Sequence, residues 1–231
     1  MKTIIAIFNK QAKDMFKNPS VLVMFLLFPA VAIIMTVLVE GRMEGLPKNL
    51  FVSMMAAIFA GMGLITAVSG IIAEDIERKC LRFLIIAGVK PYQYLLGTSS
   101  FILLAGTVSS LIFAFTGDFT LIEMLKFLAI MISGTAASII LGAAIGMLSQ
   151  NQQAATSLGM PAAMVLGFTP MIANFNPTIE KIAGFMYTQQ INVIINDLSS
   201  SLVKPMLIIA ANIAVFTALF IFAYKKKGLK G

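Results

Sequence analysis

Leu121–Leu148 reads LIEMLKFLAIMISGTAASIILGAAIGML, and its only charges, Glu123 and Lys126, fall within the first six positions. The remaining twenty-two positions are an unbroken apolar and small-residue run, long enough for a helix to cross about 30 Å of hydrocarbon. Backbone amides in lipid have no water to bond with and must be satisfied within their own segment, so such a run is expected to be helical. On either side lie five further stretches with no acid or base in their middle: Ser20–Val39, Leu50–Ala73, Leu95–Thr116, Thr156–Ala173 and Pro205–Tyr224. The expected fold is an all-α membrane protein with six transmembrane helices.

Composition agrees with that reading. Of the 231 residues, 59% are apolar and only 12% charged, and the mean hydropathy is +0.94, far from a soluble average. Six spans leave little chain for anything else, so residues 1–231 are read as a single membrane domain. Met1-Lys2-Thr3-Ile4 does not begin a cleavable signal, because the first long apolar run is itself a full span. Histidine is absent and Cys80 is the single cysteine. Zinc sites, thiol–imidazole pairs and Ser-His-Asp triads therefore cannot be assembled from this chain.

The placement of lysine and arginine sets the expected orientation. With both ends on the cytoplasmic side, twelve of the seventeen basic residues fall inside, among them Lys2, Arg78, Lys79, Arg82, Lys90 and Lys225. Arg42, Lys48, Lys126, Lys181 and Lys204 fall outside, a positive-inside distribution. The basic pI of about 9.6 thus reports topology and contact with anionic lipid headgroups, and no nucleic-acid partner is expected.

Residues 3–18 precede the first span and are amphipathic. Lys10, Lys13, Asp14 and Lys17 share one face at i, i+3, i+4, i+7 spacing, while Ile4, Ile5, Phe8, Ala12, Met15 and Phe16 fill much of the rest. A helix of this kind lies in the headgroup plane, with Asn18-Pro19 turning the chain into the span. A plain basic tail that only enforces topology is the alternative.

Two hydrophilic connections are long enough to carry function. On the cytoplasmic side, Glu74-Asp75-Ile76-Glu77-Arg78-Lys79 gives way to a short apolar block that contains Leu81, Arg82, Phe83, Leu84 and Ile85, and the segment closes with Val89, Lys90, Pro91 and Tyr92. Gly88 and Pro91 end the block. Such a helix needs a cover, either another protein or, alternatively, its own helices or the lipid headgroups. On the outer side, residues 174–204 open with Asn176-Pro177, and Ile179–Asn196 is too polar for a seventh span and too apolar for a free loop. A helical pair dipping partway into the outer leaflet is the expectation, against ordinary exterior packing.

Within the spans, Gly134, Ser138, Gly142 and Gly146 recur every four residues and form a ridge that lets a neighbouring helix approach closely. Glycines and prolines make the second and fifth spans the least regular. The same two spans carry Met55, Phe59, Met62, Met160, Met164 and Phe168, whose flexible thioethers and rings suit either an apolar substrate lining or a packed core. No ionisable residue sits mid-membrane, as ion-driven pumps usually require. Glu123 and Lys126 stand at the outer end of span four at i, i+3 spacing, where they can pair. Nor does the chain contain the G-x-x-x-x-G-K-[ST] phosphate loop. Active transport would need an energy source on another polypeptide.

At this point the chain resembles the type-2 permeases of ATP-binding-cassette (ABC) exporters. Phe16-Lys17-Asn18-Pro19-Ser20 leading into a span with Phe28-Pro29 is similar to that family's connecting helix and first span. Ala73-Glu74-Asp75-Ile76-Glu77-Arg78-Lys79, then Leu81-Arg82-Phe83-Leu84 and Val89-Lys90-Pro91-Tyr92, resembles its coupling-helix loop. Ser149-Gln150-Asn151-Gln152-Gln153-Ala154 and the late Asn176-Pro177 segment resemble its run into span five and its re-entrant outer helices. The likeness covers nearly the whole chain in order and spacing, with Lys79-Cys80 standing where the family often has Gly-Thr.

The resemblance implies a permease subunit with no ATPase site of its own, a transporter rather than an enzyme. ATP and Mg would be bound by two copies of a separate ATPase, docked through Leu81–Val89 within loop 74–92. A second permease, identical or not, would complete a central cavity that opens and closes in the cell membrane. The uncharged, Met-rich spans look most like bacterial exporters of amphipathic peptides such as phenol-soluble modulins, or of bacteriocins, and hydrophobic antibiotics and lipids are substrates of the same class. A stand-alone channel or ion-coupled carrier is the competing reading. A scaffold or sensor would share the coupling surface, and a membrane-embedded enzyme would lack a nucleophile with its base.

Overall fold

A computed structural model describes residues 2–17, 19–40 and 49–228. Asn18, Arg42, Lys48 and Lys230, which the sequence reading uses for a turn and for charge, lie outside the described residues. The chain there is helical, with no strand among the described residues. Helix α1 is Lys2–Lys17 and α2 is Pro19–Met35, the latter running on as a π-helical turn over Thr36–Glu40. Helices α3 (Leu50–Ile58) and α4 (Leu64–Glu77) are joined without a break by a π-helical segment, Phe59–Gly63. Then come α5 (Cys80–Ile86), α6 (Pro91–Thr116), α7 (Leu121–Leu148) and α8 (Gln152–Ala173). Two short helices, α9 (Pro177–Ala183) and α10 (Tyr187–Asn196), precede α11 (Val203–Gly228).

Six helices are long and apolar enough to cross a membrane: Leu22–Val39, Leu50–Glu77, Tyr92–Thr116, Leu121–Leu148, Gln152–Ala173 and Val203–Lys226. These are the six expected stretches, most of them extended where polar residues continue the helix beyond the apolar count. Caps explain several of the limits. The Thr120 hydroxyl accepts from the Glu123 amide at 3.4 Å while Glu123 returns a bond to the Thr120 amide at 2.9 Å, a capping box that starts α7. Asn151 accepts from the Ala154 amide at 2.8 Å and starts α8 a turn before the apolar run.

Helix α7 is the centre of the bundle, packed against α4, α6 and α11. Its small-residue ridge does what the spacing predicts. A Cβ on Gly142 would stand 2.9 Å from the Ile65 carbonyl oxygen, and one on Gly146 would stand 2.8 Å from that of Ser69. Helix α4 therefore lies backbone to backbone on α7 along that side. Farther up the ridge, Ser138 donates back to the Gly134 carbonyl and bonds the Tyr187 hydroxyl at 2.9 Å.

The irregular second and fifth spans meet at their glycines. A Cβ on Gly61, inside the π-helical segment, would sit 2.7 Å from Gly167 Cα of α8. Carbonyls loosened by the irregular turn are taken up locally: Thr66 donates to Met62 at 2.7 Å and to Gly63 at 3.1 Å. Pro29 similarly deprives the Phe25 carbonyl of its intrahelical partner, and Ser109 of α6 donates to it at 2.8 Å. These substitutions keep buried backbone groups paired where the helix ladder fails.

Candidate functional site

Both ends of the described chain come to the loop between the second and third spans. Helix α4 ends at Glu77 because Lys79 adopts a left-handed conformation, φ 60°, with its amide bonded to the Ile76 carbonyl at 3.0 Å. Helix α5 ends in the same way at Gly88, φ +78°. There the Gly88 amide reaches Ile85 and the Val89 amide reaches Leu84, both at 3.0 Å, which closes the last turn. Two left-handed caps thus isolate α5 as a two-turn helix that cannot merge with either span. A glycine in place of Lys79 would be unstrained at the first cap.

The apolar side chains of α5 divide sharply. Leu81 is buried, and Leu84, Ile85 and Val89 pack partly against the core. Phe83 and Ile86 are 70% and 74% exposed, and Tyr92 beyond them is also exposed. Arg82 of the same helix and Arg78 before it are exposed as well. The sequence reading missed Ile86, although it lies three residues after Phe83 and so on the same face.

Asp75 does not belong to that surface. It is only 3% exposed and turns inward, where three donors converge on its carboxylate. Lys10 of α1 forms an ion pair with it, the Gln11 amide donates at 3.0 Å, and the Tyr94 hydroxyl of α6 donates at 2.9 Å. Lys10 also pairs with Asp14 at 3.2 Å. Burial works against the charge on Lys10, but the two carboxylates outweigh it and hold its ammonium above the usual lysine range. Glu74 pairs with Arg78 at 2.7 Å, and Glu77 accepts from the Gln152 amide at 3.1 Å, which ties the start of α8 to the same corner. The Tyr224 hydroxyl of α11 donates to the Val89 carbonyl at 3.4 Å. Four helices, α1, α6, α8 and α11, are therefore fastened to the segment that carries α5.

Helix α1 presents Ile7, Gln11 and Met15 to the interior, a stripe at i, i+4, i+8. Gly97 of α6 makes room for it, since a Cβ there would lie 2.6 Å from that of Ile7. Lys13, Phe16 and Lys17 point outward, whereas Lys10 is half-buried.

The six residues expected along a substrate path are not alike. Met160 and Met164 lie on the exposed face of α8, and Met55, Met62 and Phe168 are partly covered. Phe59 is fully inside, ringed by Phe25, Phe28 and Phe113 at centroid distances of 5.8 to 6.2 Å.

At the far end of the bundle, α10 is almost wholly buried and packs against α3, α7, α8 and α11. The turn before it carries Phe185, whose carbonyl accepts from Asn212, nine residues inside α11, at 2.9 Å. Asn192 donates to the Pro170 carbonyl at 3.3 Å. The Lys126 ammonium donates to the Leu198 carbonyl at 2.7 Å and stands 3.4 Å from that of Ser200, so it gathers the loop after α10. No group of three or more His, Cys, Asp or Glu able to hold a metal occurs among the described residues. No model of a known protein family matches the chain, and no curated protein matches it.

Proposed function

We propose that this chain is the membrane-spanning permease subunit of an ATP-driven exporter of the ABC type, powered through α5 by a separate ATPase. The observation that carries the reading is the capped helix α5, with Phe83 and Ile86 exposed and with its base fastened to α1, α6, α8 and α11. An exposed apolar pair on a small, rigidly anchored helix is a lever suited to receive force from a docked protein. Both ends of the chain and α5 then face the cytoplasm of the cell membrane. Helix α1 lies along the inner headgroups, and α9–α10 forms a re-entrant hairpin from the outer side.

Two ATPase subunits and a second permease complete the unit. Substrate passes along the exposed face of α8, the least apolar of the six spans, where Met160 and Met164 accompany Thr156 and Ser157. Flexible thioethers on an exposed face suit an amphipathic peptide, hydrophobic antibiotic or lipid in transit.

The test is co-purification with a candidate soluble ATPase expressed together with this chain. Phe83→Asp and Ile86→Asp are expected to abolish capture while the permease inserts and folds normally. Full capture by both variants overturns the assignment. A stand-alone channel or carrier is the second reading, favoured by the buried, unpaired polar atoms of Thr188 and Gln189 in α10; solute flux through reconstituted chain without nucleotide would select it.

A further inference from the structure

Lys126 lies in the second turn of α7, and its half-buried side chain reaches the loop between α10 and α11. The ammonium stands 2.7 Å from the Leu198 carbonyl oxygen, 3.4 Å from that of Ser200 and 3.5 Å from that of Ser199. Asp197 folds the loop into this shape. Its carboxylate accepts from the Ser199 amide at 3.1 Å and from the Ser199 hydroxyl. Its carbonyl accepts from the Ser200 amide at 3.2 Å and from the Ser200 hydroxyl at 2.8 Å. The donors of the turn are spent on Asp197, and no backbone amide among the described residues donates to the carbonyls of residues 198–200. What the loop lacks is donors, and Lys126 supplies them.

The surroundings favour a cation at that point. The loop directly follows the C-terminus of α10, the negative end of the helix dipole. The Asp197 carboxyl is held below its usual range, first by the Ser199 hydroxyl and in part by the charge of Lys126. Donor count then narrows the kind of cation. A primary ammonium carries three N–H donors on one nitrogen and no acceptor, which matches three carbonyls gathered around a single point. A hard metal ion asks for about six oxygens or more, well beyond what these carbonyls offer.

We propose that residues 197–200 form a site for a primary ammonium ion, filled in this chain by its own Lys126, and that this occupant holds the loop between α10 and α11 in place. Lys126 is a positioning residue. Through the loop it fixes where α10 ends and α11 begins, and both helices pack on α7. The inference rests on the fold and does not depend on the exporter reading.

The test is chemical rescue of the full chain in phosphatidylcholine nanodiscs, read by amide hydrogen exchange across residues 197–202. Lys126→Ala is expected to speed exchange there about tenfold, the loss of one charge-assisted hydrogen bond. n-Propylammonium is the fragment this substitution removes. It should restore protection to Lys126→Ala with saturation and leave wild type, whose site is full, unchanged. Potassium chloride and tetramethylammonium chloride at the same ionic strength carry charge without an N–H and should restore nothing. Lys126→Met keeps the stem and loses only the ammonium, so its exchange should rise equally and resist rescue. Wild-type exchange in Lys126→Met overturns the site, as does failure of n-propylammonium to protect Lys126→Ala. Recovery in potassium or tetramethylammonium as complete as in n-propylammonium would overturn the ammonium assignment, because charge alone would then suffice.

Discussion

Asp75→Ala tests whether this carboxylate is an internal anchor or a surface contact. The side chain serves Lys10, Gln11 and Tyr94 at once. Its removal leaves the Tyr94 hydroxyl, 0% exposed, and the Gln11 amide, 4% exposed, without their acceptor. Each orphaned buried donor costs about 1–3 kcal/mol. Lys10 adds little, because it is half-exposed and keeps Asp14. The total is about 3 kcal/mol, equivalent to roughly 6–12 °C in midpoint for a chain of this size. Asp75→Asn keeps an acceptor oxygen and should lose about half as much. The assay is thermal unfolding of the purified chain in detergent, alone, with hydrogen exchange followed across residues 2–17. Exchange there should rise, since Asp75 anchors the polar side of α1, which is otherwise held by apolar packing of Ile7, Phe8, Ala12 and Met15. A midpoint within a degree of wild type, with unchanged exchange in α1, would refute the anchor. A loss of ATPase capture by an otherwise unperturbed chain would return Asp75 to the surface role.

Lys10 carries a pH signature with a definite sign. Its folded pKa is raised above the ordinary 10.5, so its contribution is complete below that value and is lost as pH rises through the folded pKa. Melting curves from about pH 8 to 11.5 should show the gap between wild type and Lys10→Met constant at first and closing at the alkaline end; a gap that widens there would reverse the argument. Gly142→Ala puts a methyl 2.9 Å from the Ile65 carbonyl and should cost about 1–3 kcal/mol by overpacking, measured by unfolding in denaturing detergent; no change would mean α4 and α7 separate freely. At the caps of α5, Lys79→Gly should stabilise by about 1 kcal/mol and Gly88→Ala destabilise by a similar amount, since both positions are left-handed. Equal and opposite midpoint shifts of the same chain are the readout.

The spans were legible because hydrocarbon imposes a length and an apolar composition that no other environment demands together. The ridge at Gly134, Ser138, Gly142 and Gly146 was legible for a related reason: period four on a helix is a geometric statement. The π-helical segment Phe59–Gly63 was visible only as a cluster of glycines. An inserted residue in the helix ladder leaves no compositional mark, and it is revealed by where the carbonyls go, to Thr66 and its neighbours. Hydropathy marked Ile179–Asn196 as too apolar for a free loop but gave no sign that Thr188, Gln189, Gln190 and Asn192 of α10 would be buried. Of these, Gln190 donates to the Gly184 carbonyl in the turn before α10 and Asn192 to the Pro170 carbonyl of α8, whereas Thr188 Oγ1 and Gln189 Oε1 have no partner among the described residues.

The loop 74–92 shows most plainly where sequence reasoning stops. Its acids come first and its bases follow, each looks free for an external partner, and nothing local distinguishes Asp75 from Glu77. Helical geometry makes the distinction. Positions 74 and 78 pair along one face of α4, whereas 75 points to the side that α1 and α6 occupy. The partners of Asp75 come from 64 and 65 residues upstream and 19 downstream, separations that no motif records. A charge placed there is costly unless all its donors are present, so the α1–α4–α6 corner is specified as one arrangement, with no gradual slide between alternatives. If α5 is pushed, that corner either moves as a body or breaks at Asp75. Where the corner holds, the proposed push at Phe83 would be carried to α1, α6, α8 and α11 through these bonds.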